Sequence, residues 1–501
     1  MNPVITRHRI ATSIALAIAI ALVLSFRLGH PMLHTDEITY MSGNLEAMNQ
    51  GALFPVKGDG RLFANKPPLA LWMIRLSFEV LGPSPFAARL PSVLAASATA
   101  VVIYLFGSIL FGEWVGVLAA LIFPLTPGLA TLHGIRSATP DSFEILLITS
   151  AIACLEIWRR RRRPWSLAAL VALVGATAWV KSPFALIVFL AYLLATEWTA
   201  RRAGLGTPRP VLTVALVVGV WTVAYCLWVG VLLNDTSPRA VRRLFMQQYV
   251  RRIEGRLGRH HIKGRDYYLD SVARDFGPLL LLPVGAVAAG WLASRRGRHP
   301  ARPLSHHEVT CLAVWALAAP ALATVSANKL EWYAYLSYPG IALLLAVSAR
   351  RLTQAAADRT SVQATLLAAT VLMLVWRLPT DRLWPAEPQY KNLTGRFWEI
   401  ARRDRIAVVP GQDFHFFCRQ DDGCREARLF VRALFYEQFR RRSSGQAGQA
   451  QCHALLINHR RDASVRREAL VLYKPTRGNA GLFLVDRCDG RLRGQLTGAS
   501  S

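Results

Sequence analysis

The chain has 501 residues, of which 53% are hydrophobic, and a formal net charge of +28. Its repeated apolar stretches of roughly 20 residues exclude a soluble globular protein and indicate a polytopic membrane protein. In a soluble protein this positive charge would suggest nucleic-acid binding. In a membrane protein Lys and Arg collect on cytoplasmic loops, so no nucleic-acid partner is predicted.

The apolar runs predict about eleven membrane-spanning helices. They lie at 10–29, 88–111, 114–133, 142–158, 165–180, 183–199, 211–233, 276–294, 308–326, 332–349 and 362–378. The first run follows basic residues as a signal peptide would, but no clear small-residue cleavage site comes after it. It is therefore interpreted as a retained span.

The basic loops predict an orientation. With the N-terminus in the cytoplasm, the arginine clusters between spans fall on the cytoplasmic side, as the positive-inside rule requires. These clusters are Arg159 to Arg163, Arg201 with Arg202, Arg295 to Arg302, and Arg350 with Arg351. The odd number of spans sends the chain after residue 379 to the opposite face. We therefore expect a membrane domain at 1–379 and an external domain at 380–501.

The external segment 30–87 begins with two adjacent acids, Asp36 and Glu37. The stretch from residue 34 predicts an interfacial helix that places Asp36 and Tyr40 on one face, a turn apart. A plain helix N-cap is the alternative role for Asp36. Further along, a Gly-Asp-Gly turn precedes Lys66, which is followed by Pro67 and Pro68. The prolines predict an extended Lys66 and a fixed start for the next helix.

A second external segment, 235–275, is rich in arginine, although it lies on the face where basic residues are depleted. One interpretation is an amphipathic helix on anionic headgroups. We favour a mobile external loop that binds phosphate, because Arg offers a planar fork to phosphate oxygens. Arg251 and Arg252 are its candidate phosphate ligands, and His260 and His261 are candidate substrate contacts.

Lysine is scarce, with only seven in the chain. Three of them, Lys66, Lys181 and Lys329, fall at the outer membrane boundary. A single lysine there is commonly a snorkelling anchor. Three on one face indicate a functional site instead, because ionisable groups at membrane depth are functional candidates.

The tail from about 380 to 501 changes composition and predicts a small external α/β domain. Strand-like pieces lie at 406–409, 453–459, 468–473 and 481–486, with a helical stretch, REARLFVRALFYEQF, between the first two. Four cysteines on an oxidising face suggest two disulfides, for which three connectivities are possible. We favour Cys418 with Cys424 and Cys452 with Cys488, and a zinc site is the lesser alternative. Cys154, Cys226 and Cys311 lie in spans and are interpreted as small apolar residues.

Several short motifs occur in a family-specific order. They are Asp36-Glu37 with Tyr40, Lys66-Pro67-Pro68-Leu69, Phe86-Ala87-Ala88-Arg89-Leu90-Pro91-Ser92, Arg136 with Asp141, Lys181-Ser182-Pro183, and Lys329-Leu330 with Tyr333 and Pro339. Together they resemble the polyprenyl-phosphate-sugar-dependent glycosyltransferases of the GT-C class, in particular bacterial lipid A aminoarabinose transferases and dolichyl-phosphate-mannose protein mannosyltransferases. The resemblance covers most of residues 1 to 350.

This resemblance implies a GT-C-like membrane fold and an inverting transfer from a polyprenyl-phosphate sugar to a lipid, glycan or protein, at the outer face of the bacterial cytoplasmic membrane. It implies Asp36 as base or organiser of the acceptor, with Glu37 beside it and Asp141 as a second carboxylate. The donor phosphate would be held by Lys66, Arg89, Arg136, Lys181, Arg251, Arg252 and Lys329. Tyr40, Tyr333, His260 and His261 would contact substrate.

Two further expectations concern metals and the class of protein. Some relatives have an acid before Lys-Pro-Pro where this chain has Asn65, so no essential tightly bound metal is predicted. Apart from membrane lipids and the donor and acceptor, no cofactor or partner is expected. A transporter or flippase of lipid-linked sugars is the rival interpretation. It should carry ionisable residues in mid-span, whereas the charges here collect at one face.

Overall fold

A computed structural model describes the chain in several ranges. The described residues are 3–29, 35–49, 51–53, 57–58, 61–62, 66–130, 133–181, 183–205, 209–246, 250, 254, 262–295, 304–354, 359–377, 454–457, 469–473 and 482–485. The contacts divide the chain into two units. The first comprises Met1–Phe26, Ala64–Ala70 and Leu90–Leu383, and the second comprises Arg27–Phe63, Leu71–Arg89 and Trp384–Ser501.

The described part of the chain is mainly helical. Its α-helices are α1 Pro3–Ser25, α2 Thr35–Asn49, α3 Leu69–Leu81, α4 Pro85–Phe111, α5 Glu113–Leu125, α6 Asp141–Arg161, α7 Pro164–Thr177, α8 Phe184–Arg202, α9 Pro210–Asp235, α10 Pro238–Phe245, α11 Tyr267–Phe276, α12 Leu281–Arg295, α13 His306–Thr324, α14 Tyr338–Thr353 and α15 Arg359–Arg377. Short 3-10 segments lie at Pro127–Ala130, Gly277–Leu280 and Glu331–Ser337. Each predicted apolar run overlaps one of these helices.

Within the described ranges, seven helical stretches are long and apolar enough to cross a membrane. They are Arg7–Ser25, Pro85–Phe111, Phe184–Arg202, Pro210–Asn234, Tyr267–Leu292, His306–Thr324 and Glu331–Thr353. The chain is therefore a multi-pass membrane protein. Helices α5, α7 and the apolar part of α15 are shorter, so the predicted number of about eleven spans stays a prediction.

Prolines and glycines set helix ends that the apolar runs did not reveal. The predicted run 114–133 is helical only to Leu125, because Thr126 precedes Pro127 and takes an extended conformation. The predicted run 276–294 is interrupted by Gly277, whose φ of +50° favours glycine, before α12 begins. Helix α3 begins at Leu69, directly after Pro67 and Pro68, as predicted.

The first unit is organised around α14, which packs against α5, α12 and α13. The stretch Glu331–Thr353 is 83% buried inside the protein, whereas Arg7–Ser25 in α1 is only 11% buried. Many apolar side chains of α1 and α9 are exposed, as expected for helices that face lipid. The core of the unit therefore surrounds α14.

The second unit contains the described strands. β1 (Lys57–Gly58) and β2 (Arg61–Leu62) pair antiparallel. Asp59 and Gly60 of the predicted Gly-Asp-Gly turn lie outside the described residues. In the tail, β3 (Ala454–Ile457), β4 (Ala469–Tyr473) and β5 (Leu482–Val485) form an antiparallel sheet of order β3-β5-β4. These strands confirm three of the four predicted pieces. The predicted strand at 406–409, the tail helix and all four tail cysteines lie outside the described residues, so the α/β domain remains a prediction.

Candidate active site

A pair of buried carboxylates opens α6 in the first unit. Pro140 precedes the helix, and Asp141 and Glu144 both lie in its first turn, where the helix dipole favours negative charge. Because they are three residues apart, they lie on one face of the helix. Each is only 3% exposed. Buried acids need compensating charge, so the residues around them decide what this face can do.

Lys181 supplies much of that charge. Its Nζ makes an ion pair with Asp141 Oδ1, lies 3.8 Å from Glu144 Oε2, and sits 5.4 Å from the centre of the Tyr333 ring. Burial by itself would lower the pKa of Lys181, but the carboxylates of Asp141 and Glu144 outweigh burial and raise its pKa above the ordinary value. Lys181 is therefore a fixed, fully charged ammonium.

Lys66 is the second lysine of this cluster. It is half-buried, and its charge acts on Glu144. The chain after it is anchored, because the Leu69 backbone N–H donates a hydrogen bond to the Trp179 carbonyl at 2.8 Å, two residues before Lys181. The start of α3 is thus held close to the chain that carries Lys181.

His133 lies near Asp141 and stacks on Trp332. His133 Nδ1 lies 3.7 Å from Asp141 Oδ2, and its ring stacks on Trp332 with ring centroids 3.8 Å apart. His133 has a φ of +62°, a left-handed conformation that costs a non-glycine residue on the order of 1–3 kcal/mol. Such strain is concentrated at functional sites.

Each carboxylate also has an unused oxygen. Among the described residues, Asp141 Oδ2 and Glu144 Oε1 are buried without a hydrogen-bond partner. Unsatisfied buried acceptors are uncommon in native proteins and call for an explanation. They could accept hydrogen bonds from sugar hydroxyls, while the neighbouring lysines attract an anion.

In the second unit, Glu37 and Arg89 form a buried bidentate ion pair. Arg89 Nε and Nη2 lie 2.7 and 2.9 Å from Glu37 Oε1 and Oε2. Arg89 Nη1 also donates to the Leu28 carbonyl at 2.9 Å. Glu37 is 2% and Arg89 7% exposed. Glu37, a predicted catalytic residue, and Arg89, a predicted phosphate ligand, are thus bonded to each other.

Asp36 and Tyr40 lie on α2 as predicted. Asp36 is half-buried in the first turn of the helix, and Tyr40 is 3% exposed. The Asn44 side-chain amide donates to the Tyr40 carbonyl at 2.9 Å. Adjacent side chains on a helix point about 100° apart. The Asp36 side chain therefore points in a different direction from that of Glu37, which bonds Arg89.

Arg136 and Lys329, both predicted phosphate ligands, donate hydrogen bonds at helix C-termini. Arg136 bonds the carbonyls of Leu24, at 3.0 Å, and Phe26, at the end of α1. Lys329 Nζ bonds the carbonyls of Thr324 and Ser326, at 3.1 and 2.7 Å, at the end of α13. Cations commonly satisfy orphan carbonyls in this way. If Arg136 or Lys329 contacts a phosphate, that contact is made in addition to these hydrogen bonds.

The structure therefore brings together Asp141, Lys181 and Tyr333 of the predicted site, and the charge of Lys66 acts on Glu144 of the same cluster. Arg251, Arg252, His260 and His261 lie outside the described residues. The described ends of their segment include the short helix α10 and the start of α11. Sequence reasoning missed Glu144, His133 and Trp332. The spacing of Asp141 and Glu144, one turn apart at a helix start, could have revealed Glu144.

Comparison with known proteins gives matches of two kinds. The profile of the family described as dolichyl-phosphate-mannose-protein mannosyltransferase matches residues 65–228. A relative in Pseudomonas savastanoi pv. phaseolicola (strain 1448A / Race 6), named undecaprenyl phosphate-alpha-4-amino-4-deoxy-L-arabinose arabinosyl transferase, is 24% identical over 323 residues. That match covers 63% of this chain and 57% of the relative, so it spans little more than half of the relative's length.

Solved structures agree in fold. ArnT from Cupriavidus metallidurans, bound to undecaprenyl phosphate, has a TM-score of 0.63 at 16% identity and covers 94% of this chain and 97% of its own. An oligosaccharyltransferase from Archaeoglobus fulgidus in the apo form has a TM-score of 0.52 at 12% identity, covering 85% and 64%. The chain resembles GT-C glycosyltransferases and has an ArnT-like helical fold. At these identities a shared fold does not by itself show a shared activity.

Proposed function

We propose that this multi-pass membrane protein, which resembles the polyprenyl-phosphate-sugar-dependent glycosyltransferases, is an inverting glycosyltransferase. It moves a sugar from a polyprenyl-phosphate donor to a lipid, glycan or protein acceptor at the outer face of the bacterial cytoplasmic membrane. The observation that carries the proposal is the buried cluster of Asp141, Glu144 and Lys181, on which the charge of Lys66 acts. Its support from outside the chain is the similarity to transferases in sequence and fold.

The lysines suit the departing group. When the bond between the sugar and the lipid phosphate breaks, the phosphate becomes a monoester and gains negative charge. Fixed cations in a water-poor site stabilise such developing charge. Lys181 is 4% exposed and bonded to Asp141, whereas Lys66 is half-buried and therefore partly accessible to a ligand. We therefore assign the donor phosphate to Lys66 and the positioning of the carboxylates to Lys181.

The acids suit the sugar and the acceptor. Asp141 and Glu144 each keep a buried acceptor oxygen that can bond a sugar hydroxyl. In an inverting transfer, the acceptor oxygen attacks the anomeric carbon from the side opposite the phosphate and loses its proton to a base. We assign that base to Asp36, following the family resemblance. Glu37 and Arg89 then hold the start of α2, because they are bonded to each other.

The remaining candidates receive supporting roles in this proposal. Tyr333 packs beside Lys181 and against Phe184, with ring centroids 5.0 Å apart, and so borders the cluster. The hydrogen bonds of Arg136 and Lys329 to helix ends support a positioning role for both. Arg251, Arg252, His260 and His261 stay assigned to donor and substrate binding on the strength of their sequence alone.

The test is single-turnover transfer by the purified protein in detergent from a defined polyprenyl-phosphate sugar. With a hydroxyl acceptor, Asp36→Asn should lower the rate by roughly 10² to 10⁴, because the acceptor loses its base. A phosphate acceptor is already ionised and needs no base, so with that acceptor Asp36→Asn should lower the transfer rate far less. Lys66→Ala should weaken donor binding in either case.

The controls are Glu79→Gln, an exposed acid on α3, and Arg202→Ala, an exposed cation at the end of α8. Both should transfer at the normal rate. A rival flippase would bind the lipid-linked sugar and show no turnover. Near-normal rates in both Asp36→Asn and Lys66→Ala would remove the assigned active site. Mass spectrometry of envelope glycolipids and glycoproteins, with and without the protein, would identify the acceptor.

A further inference from the structure

A second buried polar cluster lies at the other end of α6, among α6, α8 and α13 of the first unit. It contains Glu156 and His307, both 1% exposed, and Cys311, 8% exposed. Glu156 follows Asp141 by fifteen residues on one helix, so the two clusters are roughly 22 Å apart along its axis. Cys311 was interpreted from sequence as a small apolar residue. That interpretation is corrected, since its sulfur lies among polar groups.

Three potential ligand atoms converge in this cluster. His307 and Cys311 are four residues apart on α13 and share a face, and Glu156 approaches from α6. Cys311 Sγ lies 3.4 Å from His307 Nε2 and 3.7 Å from Glu156 Oε1. His307 Nε2 lies 3.0 Å from Glu156 Oε2. One ligand atom from each residue falls within 4.8 Å of the others.

These separations match the edges of a zinc coordination tetrahedron. With bonds of about 2.3 Å to sulfur and about 2.0–2.2 Å to nitrogen or oxygen, tetrahedral ligands lie roughly 3.4–3.6 Å apart. The sulfur contact is to Oε1 and the imidazole contact to Oε2 of Glu156, so the carboxylate would turn to present one oxygen to the metal. We propose that Glu156, His307 and Cys311 bind a zinc ion, or another thiolate-binding divalent transition metal, that ties α6 to α13.

The charges around the cluster fit a divalent ion. On binding, the Cys311 thiol releases its proton and coordinates as the thiolate. The thiolate and the Glu156 carboxylate then balance the two positive charges of the metal. Among the described residues, Arg159 contacts Glu156 at 2.7 Å, and the Tyr192 hydroxyl donates to Glu156 Oε1 at 3.2 Å. Arg159 also lies 3.4 Å from Glu197, which it shares with the more exposed Arg201 at 3.0 Å.

Hydrogen bonds from neighbouring residues also orient two of the proposed ligands, as is usual for metal ligands. His307 Nδ1 lies 3.1 Å from Thr199 Oγ1, which leaves Nε2 facing Glu156 and Cys311. Arg159 Nη1 bonds both Glu156 Oε1 and Thr196 Oγ1, at 2.7 and 2.8 Å. These contacts come from α6 and α8. The site is therefore held by three helices and does not depend on the candidate active site.

The experiment uses the full-length protein in detergent, stripped with chelator and reloaded with Co²⁺ or Zn²⁺ alone. Cobalt should give a thiolate-to-metal charge-transfer absorption, and about one bound equivalent should depend on Cys311. Cys311→Ser should weaken binding by more than about 100-fold, since even an outer-shell loss costs 10- to 100-fold. Cys154→Ser, a half-buried cysteine on α6, is the matched control and should bind as the unmodified protein does.

A second measurement guards against misfolding of the variant. Zn²⁺ should raise the thermal midpoint of the unmodified protein and of Cys154→Ser, and should leave His307→Gln unchanged. Equal metal content in Cys311→Ser and Cys154→Ser would overturn the proposal. So would an unmodified protein that retains no metal after reloading, because the cluster would then be a hydrogen-bonded network only.

Discussion

Removing the ammonium of Lys181 should show how much protein stability depends on the counter-charge of the carboxylate cluster. Lys181→Met keeps the length of the side chain and removes the ammonium, which is 4% exposed and paired with Asp141 and Glu144. Breaking a buried ion pair by removing one partner costs about 3–5 kcal/mol, because a charge is left uncompensated. Asp141 should bear most of this penalty, since Lys66 still acts on Glu144.

Asp141→Asn alone should cost less, about 1–3 kcal/mol, because Lys181 keeps Glu144 at 3.8 Å. The double variant Lys181→Met with Asp141→Asn removes both charges, so its loss should fall well below the sum of the single losses. A coupling free energy of at least about 2 kcal/mol is expected, within the range for contacting residues. Transfer activity should stay low in the double variant. Removing both charges recovers part of the stability, but the site still lacks the Lys181 ammonium and the Asp141 carboxylate.

The measurement is the free energy of unfolding of the four proteins in mixed micelles with increasing sodium dodecyl sulfate. The pair of half-buried Arg75 and exposed Glu79 on α3, whose closest atoms lie 2.8 Å apart, provides the control cycle. Its coupling should be about 0.3–0.5 kcal/mol. Losses for Lys181→Met and Asp141→Asn that add to within about 0.5 kcal/mol would refute a direct ion pair.

Three other outcomes are expected. Glu37→Gln should lower stability, because it leaves the buried guanidinium of Arg89 without its charge partner. Transfer per folded molecule should nevertheless fall less than in Asp36→Asn. Equal falls in the two variants would give Glu37 a direct chemical role. A reporter fused after Ser501 should be active only outside the cytoplasm and one at Arg161 only inside it, and the reverse at either point would invalidate the proposed orientation. Alkylation without reductant should spare the tail cysteines, and reduction should destabilise the tail by roughly 2 to 5 kcal/mol, whereas full labelling before reduction would show free thiols. The cysteines concerned are Cys418, Cys424, Cys452 and Cys488.

The sequence by itself determined the elements whose cause is local. Apolar runs predicted helices, and each overlaps one, because a membrane requires the backbone to satisfy its own hydrogen bonds. Pro67 and Pro68 predicted the start of α3, and short apolar runs predicted the strands at 454–457, 469–473 and 482–485. Helix ends were less accurate, as at Leu125, where a single residue before a proline ended the helix early.

Only the tertiary structure decided which charges meet. Glu37 bonds Arg89, Asp141 bonds Lys181, and Glu156 meets His307, each across many residues of chain. Periodicity reports which face of a helix a residue occupies, but it does not report which other helix packs against that face. A buried charge must find a partner wherever the packing brings one, so Glu37 turned toward Arg89 and Cys311 toward polar groups. The partner is a property of the packed helices, and no local pattern contains it.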